Sequence, residues 1–319
     1  MVRNEFEIPS ADGRTQLHAV SWTPEIPIQG VLQISHGLGE HVLRYEPLAE
    51  YLTAHGFAVV GHDHLGHGLS IPSGGTRLWF GSKGSWNWLL ADLYAVRRVA
   101  ETNFGASIEP APDKTPCFLL GHSMGSFLAR SFLLRYPGSV DGTILTGTGQ
   151  SPKALLLCGY LLSIEEGWRL GEKSVSPLCV GLAFGSYNRP FEPVRTPYDW
   201  MSANEENIDQ FLASPLCGGS PTIGLLREML SALLEIGTPA KLRAMNPDMP
   251  VLLLSGDADP VGDMGKGVRK VERLFRRAGV KDVTCALYPG LRHEILNEKP
   301  RYTIYADILH WIQSRVNTL

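Results

Sequence analysis

The chain has 319 residues, of which 44% are hydrophobic and 19% charged, and its formal net charge is -3. This composition is typical of a globular protein with a sizeable core, and it gives no electrostatic reason to expect binding to nucleic acid or to an anionic membrane. The five cysteines are scattered without a CxxC pair, which argues against a disulfide framework and a zinc site and favours a reducing, cytoplasmic setting.

The sequence also argues against targeting and membrane-spanning segments. Its opening residues, MVRNEFEIPS, are polar, so we expect no signal peptide. The longest apolar run, at 154–162, is far shorter than the roughly 20 residues that a membrane-spanning helix needs. We therefore expect no integral membrane segment.

The first 150 residues alternate between strand-like and helix-like patterns. Two strand patterns flank an Asp12-Gly13 turn, which predicts an antiparallel hairpin at the edge of a sheet. Apolar runs predict strands at 30–34, 58–60, 117–120 and 143–145, and helices near 44–55, 86–102 and 124–136. Such alternation predicts a parallel sheet covered by helices on both faces, the α/β class.

The pattern changes between about residues 149 and 247. This segment is helical and amphipathic, is interrupted by Pro, Gly and Asn, and has no strand pattern. After it come a strand at 251–255, a helix at 268–278, a strand at 283–288 and a helix at 301–312. We therefore predict one α/β domain, residues 1–148 and 248–319, interrupted by a helical cap at 149–247.

A G-x-S-x-G motif, Gly121-His122-Ser123-Met124-Gly125, lies directly between a predicted strand and a predicted apolar helix. The motif alone is weak evidence, but a strand before it and a helix after it are the context that its chemistry requires. The serine must occupy a tight, strained turn, and glycine on both sides removes Cβ atoms that would clash. We therefore predict that Ser123 is a nucleophile rather than an incidental serine.

A serine hydroxyl needs a positioned base, usually a histidine oriented by a carboxylate. In α/β-hydrolases the histidine follows the serine and the acid along the chain, which leaves His293 and His310. His310 lies in a helix with an apolar stripe, which favours a packing or surface role. His293 lies in a loop at the carboxyl end of a strand, where active groups of parallel sheets gather. We predict that His293 is the base.

Three aspartates, Asp257, Asp259 and Asp263, follow the strand at 251–255. Any of them could reach a histidine in the next loop, and the residue pattern does not separate them. Two of the three are expected to be solvated turn carboxylates.

Two backbone N–H groups are needed to bind the oxyanion of an acyl-transfer intermediate. One comes from the residue after the nucleophile, here Met124. The loop Ser35-His36-Gly37-Leu38-Gly39 follows an earlier strand, and we predict the Leu38 N–H as the second donor. The alternative is a turn that is merely rich in glycine.

The segment Gly61-His62-Asp63-His64-Leu65-Gly66-His67-Gly68 places three histidines and an aspartate in six residues. Closely spaced His and Asp can chelate a metal. No second cluster with recognisable ligand spacing accompanies it, and a polar loop after a strand explains it without a metal. We therefore predict no metal site and no cofactor.

The cap falls on the catalytic side of the predicted fold. Its apolar helices, at 154–162 and 224–234, could cover the site and form an acyl-binding pocket, or could simply be the core of a small subdomain; both can hold. A water-poor pocket favours lipid-like acyl esters as substrates. Transient contact between the cap and a lipid surface is a further expectation.

These motifs together resemble the monoacylglycerol lipase and lysophospholipase family, also grouped as serine aminopeptidase-like hydrolases. The resemblance is carried by five ordered segments: HGLGEH at 36–41 with Arg44-Tyr45, GHDHLGHGLS at 61–70, GHSMG at 121–125, GDADPV at 256–261, and Arg292-His293. It spans about residues 5–148 and 248–315 and is closer to bacterial members in the cap. It implies an eight-stranded, mostly parallel α/β-hydrolase sheet, ester hydrolysis through an acyl-enzyme, and Asp259 as the acid.

Two features qualify what the resemblance implies about substrate. Animal members carry a second histidine three residues after the base, and this position is Leu296 here, so the resemblance does not imply specific recognition of glycerol. Glu40 and Arg44 match residues that shape the polar end of the family's pocket. They could bind substrate, or they could form a structural ion pair beneath the oxyanion loop.

Two alternative functions remain at this stage. An aminopeptidase or amidase on the same scaffold would need acidic groups to hold an amine, and the cap offers Glu192, Asp199, Glu205 and Glu206. A non-catalytic ligand receptor would keep the fold without the chemistry, and the complete set of predicted catalytic residues argues against it.

Overall fold

The structure, a computed structural model, describes residues 1–104 and 116–316. A single sheet contains the eight strands of these residues, in the order β1-β2-β4-β3-β5-β6-β7-β8. The strands are β1 (Val2–Pro9), β2 (Gln16–Thr23), β3 (Gly30–Ser35), β4 (Phe57–His62), β5 (Cys117–His122), β6 (Gly142–Thr146), β7 (Val251–Gly256) and β8 (Val283–Tyr288). β1 and β2 form the predicted antiparallel hairpin, β2 is antiparallel to β4, and the pairs from β4 to β8 are parallel.

Helices cover both faces of this sheet. In chain order the α-helices of the described residues, including those of the segment between β6 and β7, are α1 (Glu46–Thr53), α2 (Trp86–Phe104), α3 (Met124–Arg135), α4 (Lys153–Leu170), α5 (Pro177–Phe184), α6 (Glu205–Ala213), α7 (Ile223–Ile236), α8 (Pro239–Leu242), α9 (Lys266–Ala278) and α10 (Arg301–Val316). Successive strand residues point to opposite faces. Thus Leu119 of β5 joins a core with α2, α3 and α9, whereas Leu120 joins a second core with α1 and α10.

Five of the parallel strands, β3 to β7, extend beyond their predicted ends, whereas β8 has the predicted bounds. β5 was predicted to end at residue 120 because the apolar run stops there, but Gly121 and His122 still pair with Leu145 and Thr146 of β6. Backbone hydrogen bonds do not depend on side-chain polarity, so the ladder continues past the apolar pattern. The polar residues that follow the parallel strands therefore all lie at the carboxyl ends of these strands, on the same side of the sheet.

The segment between β6 and β7 is helical, as predicted, and within the described residues it contains no strand. α4 packs against α7, and α7 packs against α3, the helix that follows Ser123. The predicted apolar helices at 154–162 and 224–234 lie within α4 and α7. This arrangement places the segment over the carboxyl end of β5.

The start of this helical segment and the end of α7 are both bound to α3 by Arg130. Its guanidinium donates to the carbonyl oxygens of Gly149 (3.0 Å) and Ile236 (3.2 Å) and to Oε1 of Gln150 (2.7 Å). Burial lowers the pKa of Arg130 to about 9, so the side chain still carries its charge at neutral pH. One buried cation thus joins the start of the segment and the end of α7 to the helix that begins after Ser123.

Among the helices of residues 1–104 and 116–316, none has both the length and the apolar character required to cross a bilayer.

Candidate active site

Ser123 occupies the turn between β5 and α3 with φ 51° and ψ -119°. This backbone conformation is strained for a residue with a side chain, and such strain concentrates at functional sites. A Cβ atom on Gly125 would lie 1.9 Å from the carbonyl oxygen of Ser35, and one on Gly121 would lie 2.4 Å from that of Gly125. Gly125 therefore lets α3 begin close to β3, and Gly121 lets the end of β5 approach the start of α3, so the turn needs both glycines, as the motif predicted.

His293 lies in the loop after β8, and its Nδ1 is 3.0 Å from Oδ2 of Asp259. Both side chains are buried. The other carboxylate oxygen of Asp259 accepts the N–H of Val261 at 2.9 Å. The pair is therefore held on both sides, with the remaining ring nitrogen of His293 available for another partner.

The structure separates the three aspartates that sequence left open. Asp257 is exposed and accepts the N–H of Gly290 at 2.7 Å, and Asp263 is exposed on the turn before α9. Of these three carboxylates, Asp259 alone contacts His293. His310 is exposed on α10, in agreement with a surface role.

The surroundings of His293 favour its charged form. Burial by itself lowers the pKa of the ring, but the charge and hydrogen bond of Asp259, with the carboxylates of Glu294 and Glu40, hold that pKa above its ordinary value. Next to it, burial and the nearby His293 charge lower the pKa of His122 to about 4. The site therefore stabilises an imidazolium at position 293, the species that a general base becomes after taking a proton.

Ser123 and His293 line the same cavity. Among the described residues no hydrogen bond joins the Ser123 hydroxyl to the His293 ring; in free enzymes this bond is often long and tightens when substrate binds. Gly147, at φ 57°, lies against the ring, because a Cβ there would be 2.7 Å from its Cε1 atom. Glycine at this position therefore leaves room for the His293 ring at the cavity wall.

The predicted oxyanion donors, Leu38 and Met124, line the same cavity as Ser123. Within the described residues, the amide N–H groups of Leu38 and Met124 donate to no acceptor. The loop that carries Leu38 lies against the serine, because a Cβ on Gly37 would be 3.2 Å from that of Ser123. Two free donors thus border the nucleophile, the arrangement that an oxyanion hole needs.

Glu40 and Arg44 form an ion pair with a partner that the sequence analysis missed, Glu294. Arg44 donates to Glu40 at 2.8 Å and to both carboxylate oxygens of Glu294 at 2.7 and 2.8 Å. Glu40 and Glu294 line the cavity, whereas Arg44 lies behind its wall. This placement favours the structural ion pair over direct contact between Arg44 and substrate. The only sequence signal for Glu294 was its position next to His293.

His62 at the end of β4 and the two histidines that follow it, His64 and His67, are buried. Asp63 accepts hydrogen bonds from the N–H groups of Val42 (2.8 Å) and Leu69 (2.9 Å) and contacts the His18 ring at 3.0 Å. Burial lowers the pKa values of His62 and His67 to about 3, so both rings are neutral at physiological pH. Within the described ranges, no three His, Cys, Asp or Glu side chains are grouped in a way that could hold a metal ion. Through Asp63 the segment holds the backbone at Val42, shortly after the loop that carries Leu38, and at Leu69.

The cavity has a volume of about 580 Å³, within the range of small-molecule sites. Helices α4, α5 and α7 contribute its apolar wall, which includes Leu162, Phe184 and Leu230. The catalytic candidates Ser123 and His293 lie at its polar end. No Lys or Arg is among the described residues that line it, and neither is any of the four acidic cap residues, Glu192, Asp199, Glu205 and Glu206.

The chain is similar in sequence to known serine hydrolases. The family model for serine aminopeptidase, S33, matches residues 26–300. The chain is 28% identical over 317 residues to the monoacylglycerol lipase of Mycolicibacterium smegmatis, covering 98% of each chain. It is also 28% identical over 313 residues to monoglyceride lipase of Homo sapiens, covering 97% of this chain and 90% of that protein.

Among solved structures, a highly thermostable carboxyl esterase from Bacillus coagulans, crystallised with glycerol, matches with a TM-score of 0.87 and 28% identity. The match covers 99% of both chains. The similarity therefore includes the segment between β6 and β7 as well as the sheet.

Proposed function

Because the chain belongs to the serine aminopeptidase S33 family and is a serine ester hydrolase, we propose that Ser123, His293 and Asp259 form its catalytic triad. The observation that carries this proposal is the buried hydrogen bond between His293 Nδ1 and Asp259 Oδ2, 3.0 Å long, in the wall of the cavity that Ser123 also lines. A carboxylate in this position holds the ring so that Nδ1 keeps its proton and Nε2 can accept one.

In the proposed acylation step, Ser123 Oγ attacks the ester carbonyl while His293 Nε2 takes the hydroxyl proton. The negative charge that develops on the carbonyl oxygen is bound by the N–H groups of Leu38 and Met124. The C–O bond of the tetrahedral intermediate then breaks, and the imidazolium gives its proton to the departing alcohol. An acyl group remains on Ser123.

Deacylation repeats these steps with water. His293 takes a proton from water as its oxygen attacks the acyl carbonyl, and the same two amides bind the second oxyanion. The bond to Ser123 Oγ breaks, the serine regains its proton from His293, and the carboxylic acid leaves.

As substrate we propose an acyl ester with an uncharged head group, such as a monoacylglycerol. The apolar wall from α4, α5 and α7 suits an acyl chain, and the polar end carries the carboxylates of Glu40 and Glu294. Although burial raises the pKa of Glu294, the charge and hydrogen bonds of Arg44 hold it at about 2, so it is ionised at neutral pH. Glu40 and Glu294 share one cation, Arg44, and no Lys or Arg among the described residues lines the cavity, so the surplus negative charge at this end disfavours a phosphate.

The test compares a monoacylglycerol with a lysophosphatidate of the same acyl chain. We expect kcat/KM to be lower for lysophosphatidate by about tenfold or more, because bringing a phosphate beside two carboxylates costs several kcal/mol and each 1.4 kcal/mol is worth tenfold. Both esters are presented in the same detergent, and fatty acid release is measured. Equal kcat/KM values would contradict an uncharged head group.

The aminopeptidase and amidase alternative receives less support from the described residues. The four acidic cap residues that could hold an amine stand away from the cavity lining, and the two carboxylates that do line it are already bound by Arg44. An aminoacyl amide added to the same substrate panel separates the two activities.

We also propose that residues 149–247 form a cap whose exposed apolar face contacts the lipid surface that holds the substrate. On α4 and α5, Leu161, Trp168 and Leu182 are 57%, 86% and 69% exposed. Leu182 and the exposed Leu155 also line the cavity, so this face is continuous with the cavity wall. Such a large exposed apolar face typically marks an interaction surface.

Replacing Leu182 with aspartate is therefore expected to weaken binding to neutral phosphatidylcholine vesicles, measured by co-sedimentation. The matched control is Ile26→Asp. Ile26 is also exposed (48%), but it lies before β3, near the amino-terminal ends of the parallel strands and so at the other end of the sheet from the cap. Hydrolysis of a water-soluble short-chain ester should persist in the control. Equal vesicle binding by the two variants would contradict the proposed contact.

A further inference from the structure

Behind the polar end of the cavity, a single guanidinium joins segments that are far apart in the chain. Arg44 binds Glu40 on the oxyanion loop and, with both Nη atoms, Glu294 on the loop of His293. Glu294 lies 250 positions from Arg44 in the sequence. Paired N–H···O bonds to one carboxylate fix orientation as well as distance, so these two loops are held relative to each other.

The cap supplies the fourth member of this network, Asn207 on α6. Its Oδ1 accepts from Arg44 at 2.9 Å and its Nδ2 donates to Glu294 at 2.7 Å. Asn207 is buried but does not line the cavity. It therefore touches both charged partners without being placed to touch substrate.

Each end of the network is connected to the catalytic groups through the backbone. Glu40 Oε1 accepts the N–H of Gly37, at 2.5 Å, in the loop that presents the predicted oxyanion donor Leu38. Glu294 directly follows His293, and its own N–H donates to the carbonyl oxygen of Met201 in the cap at 2.7 Å. A displacement of Arg44 or Asn207 would thus move the oxyanion loop and the histidine loop together.

We propose that Asn207, Arg44 and Glu294 are positioning residues. Through them, the position in which the cap packs on the domain fixes the positions of the oxyanion loop and of the loop that carries His293. This inference rests on the proposed triad. Removing one member of such a buried hydrogen-bonded network raises the free energy of the folded arrangement, because the remaining buried polar groups lose their partners.

The network also contributes charge to His293. Among the described residues, the charged and titratable groups that act on this ring are Asp259 from the loop after β7, Glu40 from the oxyanion loop, Glu294 from its own loop and His122 from β5, while the uncharged ring of Trp200 packs beside it. Glu40 and Glu294 share one cation, Arg44, so the network keeps a surplus negative charge beside the ring. That surplus stabilises the imidazolium formed during each proton transfer.

The experiment measures kcat, KM and the pH profile of a water-soluble ester for the parent protein and for Asn207→Ala and Glu294→Gln. We expect kcat to fall about 10- to 100-fold in both variants with little change in KM, because a small displacement of catalytic groups can cost 10²-fold. In Glu294→Gln the acid limb of kcat/KM should move to lower pH, because removal of the negative charge lets His293 lose its proton more easily.

Gln210→Ala is the matched control, because Gln210 lies on the same helix with its amide exposed and bonded only to Glu206 among the described residues. It should keep the parent kcat. Asn207→Asp, which retains an acceptor for Arg44 but places a carboxylate beside Glu294, should lose activity like Asn207→Ala and move the acid limb to higher pH.

The outcomes separate this inference from the proposed function. If the parent hydrolyses esters and both variants keep its kcat and acid limb, with only their melting temperatures lowered, the positioning role is wrong and the network is merely structural. If the parent neither turns over esters nor reacts with a fluorophosphonate, the triad is wrong and the positioning role falls with it.

Discussion

Ser123→Ala is expected to lower kcat for ester hydrolysis by about 10⁴-fold or more, because without the hydroxyl no acyl-enzyme can form. The rate that remains would come from the oxyanion donors and substrate binding alone. The fold should persist, since the change removes one oxygen atom that makes no hydrogen bond among the described residues. The measurement is steady-state turnover of a p-nitrophenyl ester together with the pre-steady-state burst, which should be absent.

The matched control is Ser73→Ala, a serine on the exposed surface. It should keep both the burst and the steady-state rate of the parent. Covalent labelling by a fluorophosphonate should follow the same pattern, with Ser123→Ala unlabelled. Turnover by Ser123→Ala at the parent rate would remove the basis of the proposed mechanism.

Asp259→Asn is expected to reduce kcat by about 10⁴-fold, as loss of the carboxylate does in other serine triads. An amide nitrogen facing Nδ1 favours the ring tautomer with its proton on Nε2, which cannot accept the serine proton. The anionic partner of the imidazolium is lost at the same time. Since asparagine has nearly the shape of aspartate, a melting curve should show that the protein remains folded.

The chain provides its own controls for this prediction in Asp257 and Asp263, which follow the same strand. Asp257→Asn alters an exposed turn carboxylate. Asp263→Asn changes a residue at φ 49°, a conformation that asparagine tolerates. Both controls should stay within about twofold of the parent, as surface substitutions usually do. Loss of activity in either control, with Asp259→Asn active, would assign the acid to another residue.

Local sequence was sufficient for the nucleophile turn and for the fold class. The apolar run at 117–120, the glycines at 121 and 125 and the helix from residue 124 are consecutive, and each of them constrains the same few backbone angles. The predicted α/β class and the mostly parallel eight-stranded sheet are confirmed. The catalytic triad stays a prediction, which the geometry of Ser123, His293 and Asp259 supports.

Contacts between residues far apart in the chain could not be predicted from local sequence patterns. Asp257, Asp259 and Asp263 have similar sequence surroundings, and what distinguishes them is the direction in which each side chain leaves the turn after β7. Glu294 and Asn207 carried no motif at all. Asn207 is 163 positions from Arg44 and 87 from Glu294, so only the packing of α6 against both loops brings the three together.

The sequence by itself determined the succession of strands and helices along the α/β domain, the nucleophile turn and the position of a histidine in the loop after the last strand, because these features depend on residues adjacent in the chain. The tertiary structure alone decided which carboxylate contacts His293, on which side of the cavity wall Arg44 lies, and that a cap asparagine binds both charges behind the site. The physical reason is that the direction of a side chain and the partner of a buried charge depend on backbone segments that meet only when the sheet is formed and the cap lies over it.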